Sequence, residues 1–143
     1  MKFEKDLVDG YRIHAYDSNE IILAIPFSDL SNESENVDVQ SKNNFYHATD
    51  SFIVARETLI KTWPLANIAL LDKNHLTPVH ELKPELVLLG TGQKQQFPDM
   101  QLLSTFYNQG IGVEVMDSPA ACRTFNILAG EGRKVVAAII IDH

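Results

Sequence analysis

Hydrophobic and polar residues alternate along positions 11–16, close to the start of the chain. An alternation with a period of two is typical of a strand with one buried face. Turn-forming polar residues occupy positions 17–20, and an apolar segment follows at 21–25. This succession predicts an N-terminal β-hairpin.

A long polar stretch follows the hairpin at positions 28–50. Between Ser28 and Asn36 almost every residue is polar, and Val37 and Val39 stand alone among polar neighbours. Because such a stretch offers no face that can be buried, we expect an exposed loop or insertion there, with room for one short extra strand.

The middle of the chain carries shorter apolar segments. Positions 51–55 and 67–71 are apolar enough to predict two strands. Thr77 and Pro78 are a typical helix start, with the threonine as N-cap and the proline at the first helical position. We therefore expect a short helix from Thr77 to residue 82.

The C-terminal half has the clearest pattern. Unbroken apolar runs at 86–89 and 135–141 are typical of strands buried on both faces, and a third strand is predicted at 112–116. Apolar residues at helical spacing predict a helix over 99–109, and a second helix begins with Ser118 as its N-cap. This order predicts a βαβαβ unit with parallel strands, and hence an α/β fold class.

Composition and charge limit the functional classes. The chain has 143 residues, 45% of them hydrophobic and 22% charged, which predicts a single globular domain over 1–143. Its net charge of −7 argues against a nucleic-acid partner, because phosphate backbones bind to basic surfaces. No apolar run has the length of a membrane helix and the N-terminus lacks a signal peptide's apolar core, so we expect no membrane insertion and a cytoplasmic location.

Cysteine and histidine usage predicts no cofactor. Cys122 is the one cysteine of the chain, so an intramolecular disulfide is impossible, and the histidines form no metal-binding motif. Cys122 near a helix start has two interpretations. It is either a nucleophile whose pKa the helix lowers or a packed core thiol, which we favour because cysteine is among the most buried residue types.

The carboxyl ends of parallel strands are where open α/β sheets bind ligands. The strands predicted at 86–89 and 112–116 both end in small or polar residues. Glycines allow close approach to the backbone and a helix start adds positive charge, so this edge would suit a small anion. The candidate residues are Gly90, Thr91, Gly92, Asp117 and Ser118, with Lys94 and Arg123 as nearby cations.

The same edge also has a structural interpretation. A dinucleotide-binding motif requires a third glycine where this chain has Gln95, and no Walker sequence occurs. We therefore favour the view that Gly90 and Gly92 shape a tight strand exit, and we keep a bound small anion as the alternative.

Three sequence blocks resemble a known family of small α/β proteins. They are Leu-Gly-Thr-Gly at 89–92, Gly-Val-Glu-Val-Met-Asp at 112–117 and Ala-Cys-Arg-Thr-x-Asn at 121–126. That family includes a mitochondrial respiratory complex I assembly factor, an adipogenesis-associated protein and many uncharacterised bacterial and archaeal proteins.

The resemblance implies a three-layer α/β fold with a mixed central sheet and an additional β-hairpin. It also implies a shared surface cleft, but no known reaction. The cleft residues that it indicates are Gly90, Thr91, Gly92, Asp117, Cys122, Arg123 and Asn126.

Two functional hypotheses follow. We favour a non-catalytic interaction or assembly protein with protein partners, which the resemblance links to respiratory complexes, because no catalytic motif is complete. The alternative is a small-molecule (anion or nucleotide) binding protein or enzyme with its cleft at the ends of strands 86–89 and 112–116, its catalytic residues unknown. A symmetric homo-oligomer is compatible with both hypotheses.

Overall fold

The smaller of two β-sheets lies at the N-terminal end of the chain. In a computed structural model, which describes residues 9–27 and 44–142, its strands are β1 (Arg12–Tyr16), β2 (Ile21–Ala24) and β3 (Phe45–Ala48). They pair antiparallel in the order β1–β2–β3. The first two are the predicted hairpin, and β3 is a short strand within the predicted polar loop. Positions 28–43 of that loop lie outside the described residues.

The larger sheet is mixed, as predicted. Its strands are β4 (Phe52–Ala55), β5 (Leu59–Ile60), β6 (Leu86–Gly90), β7 (Gly112–Met116) and β8 (Val135–Ile139). They lie in the order β5–β4–β8–β6–β7. The neighbours β8, β6 and β7 run parallel, whereas β4 is antiparallel to both of its neighbours. The last strand ends before the predicted boundary at residue 141.

The described chain also contains the helices α1 (Lys73–Glu81), α2 (Met100–Asn108) and α3 (Ser118–Gly130). Helix α2 connects β6 to β7, and α3 connects β7 to β8. These elements are the predicted βαβαβ unit. The carboxyl ends of β6 and β7 therefore meet at one edge of the larger sheet, next to the start of α3.

Two apolar cores lie on opposite faces of the larger sheet. Because successive strand residues point to opposite faces, Leu88 packs with α3 and the smaller sheet, whereas Val87 and Leu89 pack with α1 and α2. Phe125 of α3 and Phe106 of α2 are fully buried in these cores. The result is a three-layer α/β fold, with α3 and the smaller sheet covering one face and α1 and α2 the other.

The prediction of a strand at 67–71 is wrong. Ile68–Leu70 forms a 3₁₀ turn, and the Asn67 side chain caps it by accepting a hydrogen bond from the Ala69 N–H at 2.9 Å. A short apolar run is compatible with several local structures. Here the polar cap in front of the run determines which one forms.

The helix start predicted at Thr77 is also wrong. Helix α1 begins after Asp72, whose carboxylate accepts hydrogen bonds from the N–H groups of Asn74 and His75. The His75 ring in turn accepts from the Asp72 N–H at 3.0 Å. This reciprocal cap satisfies several terminal donors and places the N-cap five residues before Thr77. Pro78 therefore lies inside the helix, where it supplies no backbone donor.

Candidate functional site

The residues predicted at the ends of β6 and β7 lie together. The Ser118 N–H donates to the Gly92 carbonyl at 2.8 Å, and the Gly92 N–H donates to Ser118 Oγ at 2.9 Å. We call this group the strand-end cluster. It consists of Gly90, Thr91, Gly92, Asp117 and Ser118.

Ser118 is the centre of the strand-end cluster. Its side chain is buried, with 5% of the residue exposed. Besides accepting from Gly92, its hydroxyl donates to the Ile140 carbonyl at 2.6 Å. One oxygen atom therefore connects the segment after β6, the start of α3 and the segment after β8.

Thr91 shapes the loop that leaves β6. Its hydroxyl donates to the Lys94 carbonyl at 2.7 Å and accepts from the Gln96 N–H at 3.1 Å. The residue is only 1% exposed. The Thr91 hydroxyl is thus bound to the backbone of its own loop. It is not exposed to solvent, so a ligand could not reach it.

The two glycines allow close packing of chain segments. A Cβ atom on Gly90 would lie 3.0 Å from Ser118 Cα, at the start of α3. Gly92 has φ +107°, and a Cβ atom there would collide with the Asp142 carboxylate. That carboxylate accepts from the Gln93 N–H at 3.0 Å. These contacts favour the interpretation that the glycines shape a tight strand exit.

Asp117, and not the predicted Ser118, is the N-cap of α3. Its carboxylate accepts a hydrogen bond from the Ala120 N–H at 2.8 Å. Ser118 is the first helical residue, and its hydroxyl points to the strand ends, where two backbone groups bind it. The carboxylate thus stabilises the helix start.

Cys122 points away from the edge and into the core between α3 and the larger sheet, where it is fully buried. Burial raises the pKa of its thiol to about 12, and the nearby charge of Arg123 opposes this rise only in part. Since nucleophilic chemistry requires the thiolate, the environment of Cys122 favours a core thiol over a nucleophile.

We expect Cys122 to resist iodoacetamide in the native protein and to react fully in denaturant. Its raised pKa also makes stability depend on pH, because the thiol ionises in the unfolded chain first. This contribution is complete below pH 9 and is lost as the pH rises towards about 12. Mass spectrometry of the alkylated protein and urea unfolding at increasing pH measure the two effects. Rapid labelling of the native protein would contradict the burial.

The remaining predicted residues of α3 bind the smaller sheet. Arg123 donates to the Tyr16 hydroxyl at 2.7 Å. The Asn126 side chain accepts from the Ile13 N–H and donates to the Ile13 carbonyl, both at 2.8 Å. Because β1 is an edge strand, Asn126 satisfies backbone groups that face away from β2. These contacts attach the hairpin to α3.

Replacing Asn126 with alanine is expected to lower the free energy of unfolding by about 2 kcal/mol, because two backbone groups lose their partners. Hydrogen exchange at the Ile13 amide should become faster in the variant. Urea unfolding and amide exchange followed by NMR measure these effects. Ile127→Ala, at the adjacent and 61% exposed position, is the control and should change stability by less than about 0.5 kcal/mol. An unchanged Ile13 exchange rate would show that the two hydrogen bonds between Asn126 and Ile13 do not stabilise β1.

The strand-end cluster leaves little space for a ligand. The cavity beside Ser118, Gln93 and Tyr16 has a volume of about 10 Å³, which is the space of one water molecule. Across residues 9–27 and 44–142, no group of His, Cys, Asp and Glu side chains is arranged to hold a metal ion. Within that same part of the chain, no helix is long and apolar enough to cross a membrane.

One surface feature was not predicted from the sequence. Phe97, Met100 and Tyr107 are 71%, 50% and 45% exposed. Met100 and Tyr107 lie two helical turns apart on the same face of α2, and Phe97 precedes the helix. We call these three side chains the α2 surface. The sequence contains one signal for this surface, the seven-residue spacing of Met100 and Tyr107. The buried face formed by Leu103 and Phe106 is the more prominent apolar pattern in the same helix.

The edge strand β7 lies beside this surface. Two of its carbonyl groups are occupied by side chains: the Gln95 amide donates to Val115 at 3.1 Å, and the Tyr107 hydroxyl donates to Val113 at 3.5 Å. Such side-chain cover is one way in which proteins prevent edge strands from pairing with another chain.

Comparison with known proteins gives several relatives. A "13 kDa major membrane protein" of Francisella tularensis subsp. holarctica is 36% identical over 74 residues, which are 52% of this chain and 60% of that protein. The Mus musculus "NADH dehydrogenase (ubiquinone) 1 alpha subcomplex assembly factor 3" is 47% identical over 60 residues, or 42% of this chain and 32% of that protein. The matches thus span less than two thirds of either relative.

One solved structure and a family model agree with these matches. An NMR structure of a Xanthomonas campestris protein is 34% identical, has a TM-score of 0.70, and is similar over 92% of this chain and 84% of that chain. A family model described as "Protein of unknown function (DUF498/DUF598)" matches residues 33–140. This range contains all three sequence blocks that resemble the family with the respiratory assembly factor. The chain therefore belongs to the DUF498/DUF598 family, which confirms that resemblance.

Proposed function

We propose that this protein is a non-catalytic binding module of the assembly-factor type, which holds a partner protein through the α2 surface. The observation that carries the proposal is the exposure of Phe97, Met100 and Tyr107 beside an edge strand. Large apolar side chains that lie together on a surface are typical of interaction sites. Complete burial of an exposed side chain of this size contributes about 1.5–3 kcal/mol, and the half-buried Met100 and Tyr107 would contribute less.

The charge distribution supports an apolar partner. Helix α2 carries no charged residue between Met100 and Asn108, although the chain as a whole has a net charge of −7. A partner that packs on Met100 and Tyr107 therefore meets no charged residue of the helix itself, and the exposed Asp99 carboxylate lies at its N-cap. Since the Val113 and Val115 carbonyls of β7 are already occupied, side-chain packing, and not addition of a strand, would hold the partner.

The strand-end cluster supports a non-catalytic role. Its hydroxyl groups, on Thr91 and Ser118, are buried and bound to backbone groups. Its carboxylate, on Asp117, caps a helix. Catalysis requires a base or nucleophile within reach of a substrate, and these groups are used to hold the strand ends together.

Family membership suggests the class of partner. Relatives of this chain carry the name of an assembly factor of NADH dehydrogenase. By extension, we propose that this chain acts as a single domain in the cytoplasm and that its partner is a subunit of a respiratory enzyme. The partner surface would be mainly apolar, to match the α2 surface.

Serine in place of both Phe97 and Met100 is expected to abolish co-purification of the partner while leaving the fold intact. Both side chains are exposed, so the melting temperature should change by less than about 3 °C. Ile127→Ser, on the exposed face of α3, is the matched control and should retain the partner. Retention of the partner by the double variant would contradict the proposal. A homodimer that the double variant dissociates would show that the surface binds a second copy instead.

A further inference from the structure

A second cavity lies at the opposite end of the larger sheet from the strand-end cluster. It has a volume of about 450 Å³ and is bounded by residues 55–58, by residues 132–136 and by Leu82. The first segment is the turn between β4 and β5, and the second leads into β8. Pairing of Ala55 with Val136 brings the two segments together. We call this space the basic cavity.

Positive charge predominates around the basic cavity. Arg56, Arg133 and Lys134 line it, together with one acid, Glu57. Arg133 donates to the Glu85 carboxylate at 2.9 Å and is therefore partly neutralised. Arg56 and Lys134 have no comparable ion pair among the described residues. This local excess is unusual for a chain whose net charge is −7.

The guanidinium of Arg56 carries an unsatisfied donor. Its Nε atom is buried and has no hydrogen-bond partner within residues 9–27 and 44–142. A buried donor without a partner is costly, and native proteins rarely contain one. The Arg56 backbone is held in position, because its carbonyl accepts from the Tyr11 N–H at 2.9 Å.

A second arginine, Arg12, lies near Arg56 but does not line the cavity. The pKa of Arg12 is lowered, first by its own burial and then by the positive charge of Arg56. Two guanidinium groups thus lie close enough to repel each other. An anion bound in the cavity beside Arg56 would offset part of this repulsion.

We propose that the basic cavity binds a small molecule that carries a phosphate group. The volume is suited to a metabolite-sized ligand. The planar Arg56 guanidinium would bind phosphate oxygens in a bidentate manner, and Lys134 would add a point charge. Leu82 and Val135 supply an apolar wall for the remainder of the ligand. This site is separate from the α2 surface and does not depend on the function proposed for it.

The test is a titration of the ¹⁵N-labelled protein with inorganic phosphate, AMP and succinate, followed by amide NMR and thermal melting. We expect AMP and phosphate to shift the amide signals of Glu57, Thr58 and Lys134. AMP at about 100 times its dissociation constant should raise the melting temperature by roughly 3–10 °C. Tighter binding of succinate than of AMP and phosphate would overturn the assignment of a phosphate ligand.

Three variants distinguish binding in the basic cavity from non-specific binding of anions to the protein surface. Arg56→Gln and Lys134→Gln should each weaken AMP binding at least tenfold, whereas Arg123→Gln, at the opposite end of the sheet, should leave it unchanged. Without ligand, Arg56→Gln should melt at the same temperature as the wild type or higher, because the unsatisfied buried Nε donor is removed. If Arg56→Gln does not fold, the AMP affinity of Lys134→Gln alone tests the proposal. Absence of shifts at up to about 10 mM AMP and phosphate, or equal shifts in all variants, would overturn the proposal.

Discussion

Replacement of Ser118 with alanine is expected to lower the free energy of unfolding by about 3 kcal/mol, since each buried backbone group left without a partner costs about 1–3 kcal/mol. The variant deprives the Gly92 N–H of its acceptor and the Ile140 carbonyl of its donor. Both groups bind the hydroxyl of a serine that is only 5% exposed. Urea unfolding of the variant and the wild type measures the difference.

A matched control separates this loss from the general effect of removing a hydroxyl. Ser104 donates to the Gln101 carbonyl within α2, in an exposed position. Its replacement by alanine should therefore change stability by less than about 0.5 kcal/mol. If the two variants lose the same amount of stability, Ser118 does not join the strand ends in the way that its hydrogen bonds indicate.

Gly92→Ala is expected to lower the free energy of unfolding by about 2–3 kcal/mol, because a strained backbone position costs about 1–3 kcal/mol and the Asp142 carboxylate must also move. Two effects add. An L-residue is strained at φ +107°, and the new Cβ atom collides with the Asp142 carboxylate. Relief of the collision would have to move Asp142 and break its bond with the Gln93 N–H. Thermal or urea unfolding measures the loss.

Two further variants separate strain from collision. Gly110 also has a positive φ, of +77°, but a Cβ atom there meets nothing within 4 Å. Gly110→Ala should therefore cost only about 1 kcal/mol, from backbone strain alone. Addition of Asp142→Ala to Gly92→Ala should recover part of the lost stability. If Gly92→Ala costs no more than Gly110→Ala, the tight approach of Asp142 is not a constraint on the fold.

The sequence predicts most elements of the larger sheet because their patterns are local. The apolar run at 86–89 and the pattern at 112–116 lie within β6 and β7. The errors occur where two local signals compete. At α1 the reciprocal cap of Asp72 and His75 outweighs the apparent start at Thr77 and Pro78.

The position of the strand-end cluster can be predicted from the sequence, but the hydrogen-bond partners of its polar groups cannot. Parallel strands necessarily bring their carboxyl ends to one edge, so Gly92 and Ser118 could be placed together from the sequence. Their partners Ile140 and Asp142 follow β8, the last strand of the chain. Because those partners come from a distant segment, no local pattern shows that the polar groups are already bound.

The basic cavity could not be predicted from the sequence either, because it depends on pairing between distant strands. Arg56 follows β4 and Lys134 precedes β8, and they approach each other only through the antiparallel pairing of these strands. The contact of Asn126 with Ile13 likewise joins the last helix to the first strand. The residue type alone does not distinguish an arginine that lines a cavity from one that is exposed to solvent.

The most direct test of the proposed function is photo-crosslinking in living cells. A p-benzoylphenylalanine residue is placed at position 97, in the α2 surface, or at position 127, on the exposed face of α3. We expect a covalent adduct between position 97 and a respiratory-enzyme subunit, its loss on Met100→Ser, and no such adduct from position 127. No adduct at position 97, or the same adducts from both positions, would contradict a partner-binding α2 surface.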